Sequence, residues 1–422
     1  MSSGWRGVRE QVGCACGRER GLGVGLFAVC VSVAVALVAA QGAMAAPARA
    51  FEEFTIPIGS PGTATLPGAT AHPGGLTIGP ESNIWFTETS ANKVGRLTPS
   101  GKFTVFSLPV KESFPGGITV GPDGNLWFTQ AGTGDIGRIS PSGTISEFPI
   151  SARAGAITAG PDGNLWFAEA LADKIGRITP SGTISEFPIP TANSFPYAIA
   201  AGPDGNVWFT EERADKIGRI TPSGTISEFP IPTRSSPYGI AAGPGGDLWF
   251  TQGLANEIGR ITPSGTISEF PIASSRPASS EVPSAITADR EGNLWFSEGP
   301  ANKIGRITPS GTISAFGVPT AKSYPAAIVA APNGDLWFTE QFTNKIARAD
   351  PGLLTAPSGK CVVPKLRGKT LAQVKRLLSG AHCTLGKVTK PKGDAHKLVV
   401  VGQKPAAHKT LGSGAKVSVR LG

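Results

Sequence analysis

An apolar segment centred on a Trp-Phe pair recurs seven times along the chain, usually after a polar turn of the type Gly-Pro-Asp-Gly-Asn. The tryptophans are Trp85, Trp127, Trp166, Trp208, Trp249, Trp295 and Trp337. Successive tryptophans are separated by 39 to 46 residues, a period that is typical of propeller blades rather than of short solenoid turns. The pattern therefore predicts a repeat protein.

Each repeat contains four short apolar runs separated by turn residues, which predicts four antiparallel strands, here called a to d. In the fourth repeat, residues 199–211 contain a and b, residues 216–220 contain c and residues 225–231 contain d. Pro-Asp-Gly joins a to b and Pro-Ser-Gly joins c to d, and both favour tight hairpins. The tight turns therefore share one face, and the longer b–c and d–a connections form the opposite face, where we expect ligands to bind.

The two ends of the repeat region complement each other. The seventh repeat stops after strand c, near residue 350, whereas residues 53–58 resemble strand d and precede the first strand a. As the outer strand of the seventh blade, this leading segment would close the ring. The sequence therefore predicts an all-β domain over residues 51–350, a seven-bladed β-propeller of four-stranded blades closed by the N-terminal strand.

Two repeated side chains are interpreted as structural. Each strand-b Trp is expected to pack between neighbouring blades and to contribute about 1.5–3 kcal/mol. In the Ile-Gly-Arg of strand c, Gly is expected to allow close approach and Arg to pair with acidic neighbours.

After a linker at residues 351–360 the periodicity ends, and residues 361–422 are predicted to form a small α+β domain. Thr370 and Gln373 form a capping-box pattern that opens a helix over residues 371–378, and Gly380 is placed to end it. Strands are predicted at 385–389, 398–401 and 416–421.

Composition and charge divide the chain in the same way. The 56 Gly and 37 Pro are typical of a turn-rich protein, and the net charge of +9 is unevenly distributed. Residues 51–350 have a net charge of −7, whereas residues 351–422 have a net charge of +13. A basic tail on an acidic body would attract an anionic polymer.

Residues 1–45 have the layout of a secretory signal peptide, with arginines before an apolar run and small residues after it. A retained N-terminal membrane anchor is the alternative, because the run is nearly long enough to span a bilayer. Either way, the protein is expected to be secreted, extracellular or associated with the cell wall. Cys361 and Cys383 are the two cysteines beyond this leader, and in an oxidising compartment they predict one disulfide.

The repeat over residues 51–350, with its Gly-Pro-Asp-Gly-Asn-Leu-Trp-Phe-Thr and Lys-Ile-Gly-Arg-Ile-Thr segments, resembles the virginiamycin B lyase (streptogramin B lyase) family of seven-bladed propellers. The tail, with Val-Pro-Lys-Leu-Arg-Gly-Lys-Thr-Leu at 363–371 and Gln-Lys-Pro-Ala-Ala at 403–407, is similar to a PASTA domain. That resemblance implies recognition of bacterial peptidoglycan.

The family resemblance implies a lyase that opens a cyclic depsipeptide by elimination, with a histidine base and Mg²⁺ as cofactor. Active members have Glu-Pro-His at the start of strand a in blade seven, a Glu at the end of strand b, and a second histidine in blade six. Here Tyr324 occupies the carboxylate position, Ala326 the base position and Ser284 the second histidine position, and only Glu340 matches. His72 is the sole histidine of the propeller and the candidate for a relocated base.

Carboxylates recur where strand b ends. They are Glu88, Glu169, Glu211, Glu298 and Glu340, with Gln130 and Gln252 in the other two repeats. Near the axis they would raise one another's pKa values unless cations intervene. One interpretation is a metal site with oxygen ligands; the other is that each Glu pairs with a nearby cation such as Lys216 or Arg219.

Aromatic residues are concentrated in the d–a turns: Tyr197, Tyr238, Tyr324, Phe114 and Phe195. They are candidates for stacking against a small molecule or peptide on the loop face, or else they wedge between blades beside neighbouring prolines.

Two functional hypotheses follow. The first is a monomeric binding or scaffold protein of the cell envelope, held by its tail to peptidoglycan or another anionic cell-wall polymer, with an unknown ligand on the propeller. The second is a virginiamycin B lyase-type enzyme with Mg²⁺ and a relocated base. The predicted secretion and the acidic propeller argue against nucleic acid as a partner.

Overall fold

The computed structural model describes residues 50–57, 72–272 and 282–354 of the propeller, and residues 361–380, 383–389, 399–407, 409–411 and 415–421 of the tail. The predicted signal peptide, residues 1–45, lies outside the described residues, as does the linker from residue 355 to 360. No helix in the described ranges has the length and apolar character that crossing a membrane requires.

Seven four-stranded antiparallel sheets form the predicted blades. Blade 1 contains β2 (Pro73–Ile78), β3 (Ile84–Glu88), β4 (Lys93–Leu97) and β5 (Phe103–Ser107), and blade 2 contains β6 (Pro115–Val120), β7 (Leu126–Gln130), β8 (Asp135–Ile139) and β9 (Ile145–Pro149). Blade 3 contains β10 (Ile157–Ala159), β11 (Leu165–Glu169), β12 (Lys174–Ile178) and β13 (Ile184–Pro188), and blade 4 contains β14 (Pro196–Ala201), β15 (Val207–Glu211), β16 (Lys216–Ile220) and β17 (Ile226–Pro230). Blade 5 contains β18 (Pro237–Ala242), β19 (Leu248–Gln252), β20 (Glu257–Ile261) and β21 (Ile267–Pro271), and blade 6 contains β22 (Pro283–Ala288), β23 (Leu294–Glu298), β24 (Lys303–Ile307) and β25 (Ile313–Gly317). Blade 7 contains β26 (Pro325–Ala330), β27 (Leu336–Glu340) and β28 (Lys345–Ala349), and its outer strand is β1 (Phe51–Thr55).

The predicted closure is confirmed. Strand β1 pairs antiparallel with β28, and the inner strands β2 and β26 lie side by side, so the ring is continuous. Phe54 stacks on Trp337 with a centroid distance of 5.6 Å, just as the strand-d Phe of other blades stacks on the Trp of its own blade. Glu53 forms an ion pair with Lys345 at 2.7 Å. The leading strand therefore provides the side chains that the seventh repeat lacks.

The strand-b tryptophans pack between blades, as predicted, and every one is at most 3 % exposed. Trp208 of blade 4, for example, packs against Leu248 and Phe250 of blade 5. Its indole also stacks on Phe229 of its own blade at 5.5 Å, and the guanidinium carbon of Arg219 lies 5.4 Å from the indole centroid. Each tryptophan is thus held by two blades at once.

The prediction that the Ile-Gly-Arg arginines pair with acidic neighbours is wrong for most blades. Arg219 lies between two aromatic rings and donates a 2.9 Å hydrogen bond to the carbonyl oxygen of Pro263, in the c–d turn of the next blade. Equivalent bonds link Arg96 to Pro141 and Arg138 to Pro180. The long side chain reaches the next blade, so its partner is a distant carbonyl rather than a carboxylate on its own sheet.

The recurrent Asp-Gly-Asn turn fixes the tryptophan. Asp204 Oδ1 accepts a 3.0 Å hydrogen bond from the indole Nε1–H of Trp208. The same carboxylate also accepts hydrogen bonds from the backbone N–H and the side-chain amide of Asn206. Burial alone would raise the pKa of Asp204, but these hydrogen bonds outweigh it and hold the pKa below its usual value. Gly205 has φ +79°, the left-handed conformation that the tight turn requires. The motif is therefore structural.

A buried hydroxyl on strand b links neighbouring blades. Thr210 Oγ1 accepts a 3.0 Å hydrogen bond from the backbone N–H of Ala198 on its own inner strand and donates 2.8 Å to the carbonyl oxygen of Tyr238 in blade 5. Thr251 and Ser297 make the same two contacts in blades 5 and 6. This link was not predicted from the sequence.

The described tail contains β29 (Cys361–Val362), α1 (Leu371–Gly380), β30 (Cys383–Thr389), β31 (Val400–Lys404), β32 (Thr410–Leu411) and β33 (Ala415–Leu421). Strands β30, β33 and β31 form one sheet in that order, and β29 pairs with β32. The capping box is confirmed, because Thr370 N–H donates 3.0 Å to Gln373 Oε1 and Gln373 N–H donates 3.4 Å to Thr370 Oγ1. The disulfide between Cys361 and Cys383 stays a prediction.

Candidate ligand-binding face

The b–c turns and d–a connections lie together on one face of the propeller, here called the loop face. In blades 1, 3, 4 and 6, the d–a connection is held by an Asn or Asp that ends the b–c turn of the same blade. Asp215 Oδ1 accepts from the backbone N–H groups of Ser235 at 2.9 Å and Ser236 at 2.8 Å, and Asn302 Oδ1 accepts 2.7 Å from Ser323 N–H. The irregular backbone is therefore fixed before any ligand arrives.

The residue before the first proline of strand a adopts a left-handed conformation in several blades. The φ values are +45° for His72, +46° for Phe114, +53° for Phe195, +49° for Ser236 and +58° for Tyr324. Side chains other than Gly pay a cost of order 1 kcal/mol in this region, which proteins accept chiefly at functional positions. All five residues lie in the d–a connections that form the loop face.

The large apolar side chains that the described propeller leaves exposed between strands β1 and β28 all belong to this face. They are Val110, Phe114, Leu171, Tyr197, Leu254 and Phe342. Leu171, Leu254 and Phe342 occupy b–c turns, and sequence reasoning missed them because it considered only the d–a turns. All three lie two residues before the Asn or Asp that ends the b–c turn, and this common position could have identified them from the sequence.

The predicted aromatic residues form small groups rather than one platform. Tyr197 lies edge-on to Tyr238 at 5.1 Å, and Tyr324 stacks on Phe342 at 4.5 Å. The pKa of Tyr197 is raised, first because surrounding protein desolvates its hydroxyl and then because Tyr238, Glu212 and Tyr324 lie nearby. The tyrosines of blades 4, 5 and 7 therefore gather in one region.

The other two predicted aromatic residues have separate partners. Phe195 lies 4.2 Å from the guanidinium carbon of Arg213, a cation–π contact, and Phe114 lies against Gly132 in the b–c turn of its own blade. Phe114 and Tyr197 are nearly half exposed, at 47 % and 46 %. Both surfaces remain available to a ligand.

The carboxylates at the ends of strands b are buried, each at most 2 % exposed, and each lies opposite a charged residue of strand c. Wherever strand b ends in Glu, strand c begins with Lys; the pairs are Glu88–Lys93, Glu169–Lys174, Glu211–Lys216, Glu298–Lys303 and Glu340–Lys345. Wherever strand c begins with an acid, strand b ends in Gln; the pairs are Gln130–Asp135 and Gln252–Glu257. The seven repeats thus obey one rule of charge matching within each blade.

In several blades, a carboxyl of strand d lies beside this pair of residues from strands b and c. Lys174 forms a 2.7 Å ion pair with Glu186, and Lys216 forms a 3.4 Å ion pair with Glu228. In blade 2, where the strand-c residue is acidic, Gln130 Nε2 instead donates 3.1 Å to Glu147. The lysines of strand c in blades 3 and 4 therefore form their ion pairs with strand d, and both carboxyl oxygens of Glu169 on strand b are buried without a hydrogen-bond partner.

Burial raises the pKa of Glu88, Glu169 and Glu340 to about 7 and that of Glu211 to about 8. The neighbouring strand-d carboxyl of Glu228 raises the pKa of Glu211 further, and Lys216 opposes the rise. The expectation that ring carboxylates raise one another's pKa was wrong about the cause, which is burial and the acid of the same blade. Within the described ranges, no group of three or more His, Cys, Asp or Glu side chains is arranged to hold a metal ion.

The positions that correspond to the family's catalytic residues have structural contacts here. Ser284 Oγ lies 2.9 Å from Ser297 Oγ, and the carbonyl oxygen of Ala326 accepts 2.6 Å from the same Ser297 hydroxyl. Glu340 Oε2 accepts 3.0 Å from Thr343. His72 lies where blade 1 meets blade 7, with its ring 6.3 Å from Phe342.

Comparisons with known proteins agree with this architecture. The family model described as "Virginiamycin B lyase family" matches residues 57–156 and 152–279, and the PASTA domain model matches residues 362–422. Virginiamycin B lyase from Staphylococcus aureus is 36 % identical over 71 % of this chain and 98 % of its own, with a TM-score of 0.64. A search of curated proteins gives no match.

Two further solved structures are similar to the chain. A streptogramin B lyase is 36 % identical over 71 % of this chain and 96 % of its own, with a TM-score of 0.64. A catalytically inactive histidine-to-alanine variant of the Staphylococcus aureus lyase, solved with quinupristin, is 37 % identical over 71 % of this chain and 98 % of its own, also with a TM-score of 0.64.

Proposed function

The chain belongs to the virginiamycin B lyase family, and on that premise we propose that it is a ligand-binding protein of the cell envelope. The loop face of the propeller binds a small molecule or peptide without cleaving it, and the PASTA domain holds the protein at the cell wall. The protein is secreted, and its mature chain is stabilised by the Cys361–Cys383 disulfide.

The observation that supports binding without catalysis is the set of residues at the family's catalytic positions. Ala326 has no group that can accept a proton, and Ser284 shares a hydrogen bond with Ser297. Tyr324 stacks on Phe342 and supplies no carboxylate for Mg²⁺. Base-catalysed elimination needs a proton acceptor that titrates near neutrality and is within reach of the substrate, and these residues provide none.

Loss of a histidine is compatible with a bound ligand in this family. The relative solved with quinupristin has one histidine replaced by alanine and is catalytically inactive. The exposed aromatic and apolar side chains of the loop face offer a surface for such a ligand, because aromatic rings bury large areas at a small cost in conformational entropy.

One observation favours a second candidate function, a lyase with a relocated base. His72 is half-buried on the loop face and contacts Phe342, which in turn stacks on Tyr324 at the family's carboxylate position. In this candidate, His72 accepts the proton, and Glu340, the one residue that matches the family, helps to hold Mg²⁺.

The two functions are separated by incubating the full chain with quinupristin and Mg²⁺. The proposal expects a raised melting temperature and unchanged quinupristin by mass spectrometry, because a ligand that binds the folded state stabilises it. Linearised product that disappears in His72→Ala would establish the second candidate instead. An unchanged melting temperature, with no product, would remove quinupristin-like ligands from the proposal.

Variants place the ligand on the face. Tyr197→Ala with Phe342→Ala, which removes two exposed rings from the loop face, should abolish most of the thermal shift. Leu353→Ala is the matched control, because Leu353 is an exposed apolar side chain that follows β28 at the tight-turn end of that strand. An equal loss in both variants would contradict a site on the loop face.

A further inference from the structure

The described tail presents a sheet face whose charged side chains are all cationic. On strand β33, Val417, Val419 and Leu421 are buried, so the alternating residues Lys416 and Arg420 point outward and are exposed. Among the described residues of the tail there is no Asp or Glu, and Asp394 is the single acid of residues 351–422. Cations on this face therefore meet no carboxylate from the sheet itself.

The neighbouring strands add to the same surface. Lys404 of β31 lies directly opposite Ser418, so it shares the outer face with it, and it is exposed. Gly402 lies opposite Arg420, and the guanidinium of Arg420 lies beside it. Lys404, Lys416 and Arg420 are thus neighbours of Ser418 on one face of the sheet.

Ser418 provides a hydrogen-bond donor between the cations. Its Oγ accepts 3.0 Å from the backbone N–H of Lys387 on β30. A hydroxyl that accepts one hydrogen bond still has one O–H to donate. Lys416 and Arg420 lie four residues apart on one strand, about 13 Å at the rise of a β-strand. The surface therefore offers anion-binding groups in a line.

We propose that this face, defined by Lys404, Lys416, Ser418 and Arg420, binds a linear polymer with a phosphodiester backbone, in the manner of the polyol-phosphate polymers of a cell wall. The inference rests on the proposed function, since it names the component of the wall that the tail recognises. Arginine and lysine are the side chains that bind phosphate best, one as a fork of donors and the other as a point charge.

The composition of the tail favours this ligand over the sugar and peptide parts of peptidoglycan. Residues 351–422 contain no Phe, Tyr or Trp, so the tail has no aromatic ring on which a sugar could stack. It also has almost no carboxylate to receive the amino group of a peptide. A surface that presents cations alone selects for negative charge density, which a polymer of phosphates supplies at every repeat.

The test uses the full chain and isolated cell walls of a Gram-positive bacterium, either untreated or treated with hydrofluoric acid to remove phosphodiester-linked polymers. We expect untreated walls to retain the protein at least tenfold better than treated walls. Equal retention on both would overturn this inference and leave wall binding itself intact. Retention on neither, at low salt, would overturn the proposed wall anchoring as well.

Variants locate the binding face. Lys404→Gln, Lys416→Gln and Arg420→Gln, combined in one chain, should lower retention on untreated walls. If each contact displaces counterions as on a single-stranded polyanion, the slope of log affinity against log salt should fall by about 2. Unchanged retention would overturn the assignment to this face.

A matched triple variant separates the face from the total charge of the tail. Lys365→Gln, Arg367→Gln and Lys369→Gln remove the same charge from exposed positions outside the sheet, and this chain should retain most of the binding. An equal loss in both triple variants would contradict recognition by the face. Competition by poly(glycerol phosphate) should exceed competition by duplex DNA at equal phosphate concentration; the reverse order would overturn the assignment to a wall polymer.

Discussion

Replacement of Glu211 by Gln should make the propeller's stability less sensitive to a rise in pH between about 4.5 and 8. Burial and the neighbouring Glu228 raise the pKa of Glu211 from an ordinary value of 4.5 to about 8. A carboxyl whose pKa is raised on folding is accommodated at no cost below pH 4.5, where it is protonated in both states. Its contribution to stability is then lost progressively as pH rises through the folded pKa.

The size of the stability change follows from the pH range between the unfolded and the folded pKa of Glu211. Each pH unit between about 4.5 and 8 costs the wild type up to about 1.4 kcal/mol. The carboxyl of the unfolded chain is not fully ionised at pH 5 and that of the folded chain begins to ionise near pH 7, so we expect Glu211→Gln to gain about 2 kcal/mol relative to wild type between these pH values. Gln fits this position, because Gln130 and Gln252 occupy it in two other blades.

The assay is urea unfolding of the full chain at several pH values and constant ionic strength, for wild type and Glu211→Gln. Glu112→Gln, at an exposed carboxyl, is the control and should follow the wild type at every pH. A constant difference between Glu211→Gln and wild type across this range would refute the reasoning, because it would show that Glu211 does not take up a proton on folding.

Three further substitutions test the contacts that organise the ring. Phe54→Ala removes the ring that stacks on Trp337, so it should cost about 2–4 kcal/mol and speed hydrogen exchange of β28 amides. Asp204→Ala leaves the buried indole N–H of Trp208 without its acceptor, and should lower the free energy of unfolding by about 1–3 kcal/mol. Thr210→Val removes the hydrogen bond to Ala198 within blade 4 and the one to Tyr238 in blade 5, and should cost a similar amount, about 1–3 kcal/mol by chemical denaturation.

Each of these predictions has a control, in another blade for the first two and at the same residue for the third. Phe187→Ala removes the same stack in blade 3 and should leave exchange of β28 slow, whereas equally fast exchange would argue against a closing role for β1. Glu81→Ala should be nearly neutral, since the indole N–H of Trp85 has no acceptor to lose. Thr210→Ser should keep most of the stability, as Ser297 makes the same bonds naturally; a large loss would contradict the hydroxyl bridge.

The sequence was sufficient for the architecture because the repeat supplies seven copies of each signal. The turn residues at Asp204 and Gly205 mark a hairpin in any copy, and the missing strand d could be recognised in residues 53–58 by its likeness to the others. The closing strand was therefore predictable, although it pairs with residues nearly 300 positions away.

Contacts between blades were harder to predict. Arg219 reaches a carbonyl of Pro263, and Thr210 reaches a carbonyl of Tyr238, so each partner is a backbone atom that has no sequence signature. The charge pairing between the end of strand b and the start of strand c is visible in the sequence, since Gln130 occurs together with Asp135, whereas Glu occurs together with Lys in other blades. Reading it required the register of the b–c hairpin, which the structure supplies.

The matching of charge within single blades bears on how such a ring can grow or change. Lys216 forms its ion pair with Glu228 on the same sheet, whereas the bonds that Thr210 and Arg219 make to the next blade end on main-chain carbonyls. A duplicated or transplanted blade would thus bring its own counterions and find the same acceptors beside it. Tandem copying of a gene segment about 40 residues long would therefore preserve these main-chain contacts between neighbouring blades.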